Sequence, residues 1–223
     1  MSLHFHRELE QLRKRILALS TIVENAITQS IQTLLTRNVN LAEQIMNGDD
    51  DVDKLEIEVE EDCLKILALY HPVAQDLRFI VATLKINNDI ERMGDHAANI
   101  AKRARFLSKR DPIPWPDELE ELSENVKLMV KLSLDALVNG DAAMARQVCL
   151  ADDSVDQQKR QLTQALRERL LQSGSEPNQS EVLLKMLDVP RHLERIADLA
   201  ANIAEEVIYM VEGHISRHQL RQE

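Results

Sequence analysis

Glu91-Arg92-Met93-Gly94-Asp95, with Asn99 four residues further on, is the stretch that decides the fold. It lies inside an unbroken helical pattern from about Asp76 to Leu107. Positions i, i+4 and i+8 share one face of an α-helix, so Glu91, Asp95 and Asn99 form a row of oxygen-bearing side chains. The arrangement returns 103 positions later as Glu194-Arg195-Ile196-Ala197-Asp198, followed by Asn202. Upstream, Asp49, Asp50, Val52 and Asp53 return at the same offset as Asp152, Asp153, Val155 and Asp156. A constant offset through two separate segments marks an internal repeat.

Working outward, each repeat reads as helices only. Leu9, Leu12, Ile16, Leu19, Val23, Ile27 and Leu34 recur at spacings of three and four, which predicts one helix from about Leu3 to Arg37. A short helix over Leu41 to Met46 is expected to end at Asn47-Gly48, and a new one to open at the acidic run from Asp49 and reach Tyr70. His71-Pro72 breaks that helix before the first acidic row begins. Asp111-Pro112-Ile113-Pro114-Trp115-Pro116 cannot be helical, with three prolines in a short run. Beyond it the plan restarts: a helix over Asp117 to Asn139, a short helix over Ala142 to Leu150, and another opening at Asp152. After a break at Gly174 to Asn178, a last long helix runs to about Glu212, with Gly213 as its stop. The expected fold is all-α: two similar three-helix bundles, residues 1–110 and 117–216, packed about a pseudo-twofold axis.

Composition excludes several classes of function. A formal net charge of −11 opposes general binding to nucleic acid or anionic membrane. No window approaches the ~20 apolar residues of a membrane span, and no signal-peptide core opens the chain, so a soluble protein is expected. Cys63 and Cys149 have no ligand spacing and fit free thiols in a reducing compartment. The basic cluster Lys102, Arg103, Arg105, Lys109 and Arg110 suits the C-terminal end of its helix, with a docking patch for an acidic partner as the alternative. No phosphate loop, dinucleotide fingerprint or nucleophile elbow is present, and no general base stands apart from the acidic rows, so no enzyme is expected.

The acids have a predicted geometry. If the helices flanking His71-Pro72 form an antiparallel hairpin, Asp53 lies opposite residues 91–93 and Asp50 lies near Asp95. A second hairpin turning near 176 sets Asp156 opposite about 196 and Asp153 near Asp198. Each bundle then gathers carboxylates and an amide at one level, where like charges repel. One ExxxD on a helix is an ordinary solvated face. Two at one offset, with matching upstream aspartates, point to a metal site whose candidate ligands are Glu91, Asp95, Asn99, Asp53 and Asp50, and Glu194, Asp198, Asn202, Asp156 and Asp153. Hard oxygen donors suit Mg, Mn, Ca or Fe better than Zn or Cu. His96 and His192 point away from the acidic line, so the Glu-x-x-His pattern of di-iron bundles is not met. Gly94, costly inside a helix by ~1 kcal/mol relative to Ala, suggests close approach of a neighbour.

At these residues the sequence resembles the PhoU family of phosphate-specific transport system accessory proteins, over essentially the whole chain. The resemblance rests on His71-Pro72-Val73-Ala74-Gln75-Asp76-Leu77-Arg78, which is similar to that family's HPxxxDLR turn, and on the two acidic rows. It implies a cytoplasmic, often dimeric negative regulator of the phosphate-starvation response. Its partners would be the ATPase subunit of a phosphate ABC transporter and a sensor histidine kinase. It also implies Fe, Zn, Mn or Mg on Glu91/Asp95 and Glu194/Asp198. The second row departs from the family pattern at Ala197, and Gly174-Ser175-Glu176-Pro177 lacks the HPxxxDLR residues. A metal-free helical adaptor is the alternative; a metal-dependent hydrolase or a storage protein is a further one.

Overall fold

A computed structural model of the protein describes residues 3–174 and 177–213. Ser175 and Glu176 in the second hairpin turn, and the chain from His214 onward, including the expected boundary at 216, lie outside the described residues. Seven helices form there: α1 (Leu3–Thr36), α2 (Val39–Tyr70), α3 (Ala74–Ser108), α4 (Glu118–Asn139), α5 (Ala142–Gln172), α6 (Pro177–Met186) and α7 (Val189–Glu212). The first three make one unit and the last four make its repeat, with α6 and α7 together standing where α3 does.

Three helix boundaries differ from the sequence reading. Asn47-Gly48 does not end a helix, and Asp49 does not start one: α2 runs through both. A methyl added at Gly48 would meet nothing within 4 Å, so this glycine is a tolerated interior residue. Burial of Ala42 and Ile45 before it and Val52 after it outweighs its propensity cost. α5 is likewise continuous through Asp152. Conversely, the last helix is split at Leu187-Asp188. Pro190, inside the first turn of α7, has no N–H to give and its ring excludes the carbonyl four residues back.

The turns explain the hairpins. Asn38 caps α2 by accepting the Leu41 amide proton on its side chain. His71 closes the same helix in the left-handed region at φ 48°, and buried Pro72 prevents its continuation. Gly140 and Gly213 stop α4 and α7 at φ 62° and 76°, where a side chain would be strained.

Most buried apolar side chains of both units belong to one continuous core, from Phe5 in α1 to Met210 in α7, with Ala42, Ile45 and Ala101 in a small separate cluster. α3 packs on α1 and α2 within its own unit and on α7 across the seam. The pseudo-twofold is visible there in two ion pairs. Lys85 reaches Glu206 at 3.2 Å, and Arg103 reaches Asp188 at 2.8 Å. Under the 103-residue shift Lys85 becomes Asp188 and Arg103 becomes Glu206, so the two bridges occupy related places with their charges exchanged. The seam is built like a twofold dimer interface whose halves have since diverged in sign.

Candidate functional site

The first acidic row forms where α2 and α3 run antiparallel. Val52 and Gly94 set the separation: a methyl on Gly94 would stand 3.3 Å from a Val52 methyl. The close approach expected from Gly94 is therefore made by α2. Asn87, one turn before Glu91, donates from its amide to the Glu56 carbonyl at 2.9 Å and to the Glu56 carboxylate at 3.0 Å. This clamp sets the register that brings Asp49, Asp53 and Glu56 of α2 against Glu91 and Asp95 of α3.

Electrostatics records the crowding. The Glu91 carboxyl is pushed above its ordinary range by burial, then by Asp95, Asp53, Glu56 and Asp49. Asp49 is pushed up by burial, Asp95 and Asp53, with Lys102 the opposing cation. Glu56 is raised by burial, Glu60 and Asp53. Each ionised form is disfavoured by its neighbours.

The second row carries the matching acids with a different counterpart. Lys159 of α5 places its ammonium 2.7 Å from Glu194. Arg195 reaches Asp198 at 3.1 Å, and Arg160 lies 3.5 Å from Asp156. Asp198 is still pushed upward by burial and Glu194, but Arg195 pulls against that. Lys159 stands where the first repeat has Glu56. The first row has Lys102 opposing its crowding at Asp49, and the second carries Lys159, Arg195 and Arg160 against its acids.

Among the proposed ligands, Glu91, Asp95 and Asp53 interact in the first unit, and Glu194, Asp198 and Asp156 in the second. Asn99 is half-buried on the α3 row, while Asn202 is exposed. Asp50 is exposed, and the acid that faces Asp95 is Asp49. The helical turn explains this: 49, 53 and 56 lie on one side of α2, and 50 is rotated away from it. Asp153 is also exposed, beside half-buried Asp152 at the Asp49 position. Glu56, Asn87 and Lys159 escaped the reading, although Asn87 continues the Glu91–Asp95 spacing by one turn. His96 and His192 do leave the acidic line, and they meet each other across the seam with their Nδ1 atoms 3.2 Å apart.

The donor set of the first row fits a hard cation. It offers several carboxylates and the Asn87 Oδ1, which has no partner although Asn87 is 1% exposed. Among the described residues no group of three or more His, Cys, Asp or Glu side chains is arranged to hold a metal ion as placed, so coordination would require these carboxylates to rotate inward. A groove of about 270 Å³ lies beside Asp49 and Gly94, lined also by Asn25, Gln29 and Gln44; of the row's carboxylates it is Asp49 that borders it. The second row fits less well, because Lys159 already occupies Glu194.

A tandem of acidic-row helical units is a recognisable class, and comparison with known proteins defines it. The family model for the PhoU domain matches twice, at residues 16–104 and 119–207, the two matches displaced by the repeat's own 103 positions. The chain belongs to the PhoU family. It is 39% identical over 213 residues to the phosphate-specific transport system accessory protein PhoU homolog of Aquifex aeolicus, covering 96% of this chain and 95% of that one. It is also similar to the crystal structure of PhoU from Pseudomonas aeruginosa, with a TM-score of 0.88 and 34% identity over 94% of this chain and all of that one. The phosphate transport system regulatory protein PhoU from Streptococcus pneumoniae gives a TM-score of 0.85 at 28% identity, covering 95% and 98%. No described helix is long and apolar enough to cross a membrane.

Proposed function

We propose that this protein is a cytoplasmic negative regulator of phosphate uptake and of the phosphate-starvation response. It would act by bridging the ATPase subunit of a phosphate ABC transporter and a sensor histidine kinase. What supports the reading is near full-length similarity to a relative named as a phosphate-specific transport system accessory protein and to one named as a phosphate transport system regulatory protein. We take its units as residues 1–110 and 117–216, and its working form as a homodimer.

The observation that carries the regulatory half is the crowding of acids in the first row. Burial, together with Asp53 and Asp95, raises the proton affinity of Asp49 and Glu91, and a Mg, Mn or Fe ion, with Zn less suited, would relieve that repulsion. Relief would stiffen α2 against α3, and a stiffer unit presents a defined surface to a partner. The test is co-purification of the transporter's ATPase subunit and the kinase's cytoplasmic part with the wild type and with Asp49→Asn/Asp95→Asn. Capture that needs the acids and is lost on chelation supports the metal-dependent bridge. Capture indifferent to both supports the metal-free adaptor, which the self-neutralised second row favours. No capture of either partner overturns the bridging role.

A further inference from the structure

His96 in α3 and His192 in α7 are the only imidazoles among the described residues whose rings meet, with centroids 5.4 Å apart across the seam between the two units. They are not equivalents under the repeat: the 103-residue shift carries His96 onto Leu199 and Asp89 onto His192. A leucine therefore serves the packing at the place where this histidine stands. Both rings are half-buried, and burial with nearby arginines lowers their proton affinity, that of His192 to about 4. Two imidazole rings thus face each other across the seam with their Nδ1 atoms in contact.

Their spacing matches a coordination edge. A metal held by two imidazoles at about 2.0–2.1 Å with a tetrahedral angle sets its ligand nitrogens about 3.3–3.4 Å apart, and smaller angles bring them slightly closer. The observed 3.2 Å between Nδ1 atoms lies just below that range, at the spacing a slightly smaller angle gives. Of the surrounding arginines, Arg103 is engaged by Asp188 at 2.8 Å, Arg195 by Asp198 at 3.1 Å, and Arg92 lies 3.8 Å from Asp89, while Arg191 adds positive charge beside both rings. Asp95 and Asp188 add negative charge beside His96 and His192 respectively.

We propose that His96 and His192 form a two-imidazole site for a borderline transition-metal ion, of the Zn(II), Ni(II) or Cu(II) kind, which staples the two units at their seam. Both rings would bind through Nδ1 as their Nε2–H tautomers, and the remaining positions would be water. Imidazole selects these metals over Mg, Ca or Mn, so the site differs in chemistry from the carboxylate rows and does not depend on the reading given for them.

The full-length protein in excess Mg is titrated with Zn(II) by calorimetry, and its melting temperature is followed in parallel. The variants are His96→Leu, which copies the repeat's own residue, and His192→Gln, with Asp49→Asn/Glu91→Gln as the control for the acidic row. The expected result is one equivalent of Zn(II) taken up by the wild type and the control, with a rise in melting temperature, and its loss in both histidine variants. Cobalt(II) in place of zinc should give the intense visible bands of a four-coordinate site in the same proteins only. Equal zinc uptake and equal thermal shift in the wild type and His96→Leu overturn the proposal, as does the absence of any zinc binding in the wild type.

Discussion

The two acidic rows share backbone positions and the acids at four of them, yet they differ in the cations set beside them. In the first, α2 contributes Asp49, Asp53 and Glu56, and burial with the neighbouring carboxylates raises the proton affinity of Asp49, Glu56 and Glu91. In the second, the place of Glu56 is taken by Lys159, whose ammonium lies 2.7 Å from Glu194. One position thus changes a site that calls for a cation into one that supplies it. The seam repeats the lesson, since Lys85–Glu206 and Arg103–Asp188 are related bridges with exchanged signs. A duplicated motif transmits geometry; the charge around it can diverge.

The largest effect should come from making the first row resemble the second. Glu56→Lys should supply a tethered ammonium to Glu91 and remove the response to Mg or Mn. At a hundredfold excess over Kd, metal binding is worth about 2.7 kcal/mol, or roughly 5–10 °C in a chain of this size. That shift, read by thermal melting with and without chelator, should vanish in Glu56→Lys. Its persistence would place the ion elsewhere.

The reciprocal change should unmask the second row. Lys159→Glu removes a half-buried charge-assisted hydrogen bond, at a cost of about 1.5–3 kcal/mol in metal-free protein. It should also add one equivalent of bound Mn by elemental analysis, recovering stability when metal is present. A destabilised variant with no gain in Mn would mean that the second row lacks more than its free carboxylates.

How much of this was legible in the sequence depends on the physical signal. The hairpin register was, because a period of 3.6 and the break at His71-Pro72 fix which residues of α2 oppose Glu91; the Asn87–Glu56 contact is made in that register. Helix continuity at Gly48 and Asp152 was not, since local propensity there is overruled by burial on both sides. Asp49 was passed over for Asp50 because an acidic run offers several acids, and only the neighbouring helix decides which one faces it. The inverted role of Lys159 and the His96–His192 contact are relations between distant segments, and periodicity within one helix carries no information about them.

A smaller effect separates the rows by pH. Groups whose folded pKa is raised, such as Asp49 and Glu91, bind protons more tightly in the folded state. Their contribution to stability is fully present at low pH and is lost as pH rises through the raised values. The two seam histidines act oppositely: with folded pKa lowered, their stabilisation is present above the ordinary histidine value and lost as pH falls. The comparison therefore has to be a difference. Metal-free wild type minus Asp49→Asn/Glu91→Gln, which leaves the histidines in place, should become more negative from pH 4 to pH 7 in chemical denaturation. A flat difference would show that the row's acids do not repel one another in the folded protein.

The smallest effect tests the packing under the comparison. Gly94→Ala makes the first row's backbone match the second, where Ala197 is buried at the same place. The substitution gains up to ~1 kcal/mol of helix propensity. Against this, the new methyl would stand 3.3 Å from one Val52 methyl and 3.6 Å from a Val23 methyl, so α2 must give by a few tenths of an ångström. The two terms nearly cancel, and the melting temperature of metal-free protein should move by no more than roughly 2–4 °C. The informative variant is Gly94→Ala/Val52→Ala. Removing the Val52 methyls frees the space but leaves a gap in the core, so the pair should show coupling between sites 94 and 52, with the alanine at 94 less unfavourable when 52 is also small. Additive effects would mean that α2 and α3 are not held at contact by this pair. The register that gathers the first row would then rest on the Asn87–Glu56 clamp alone.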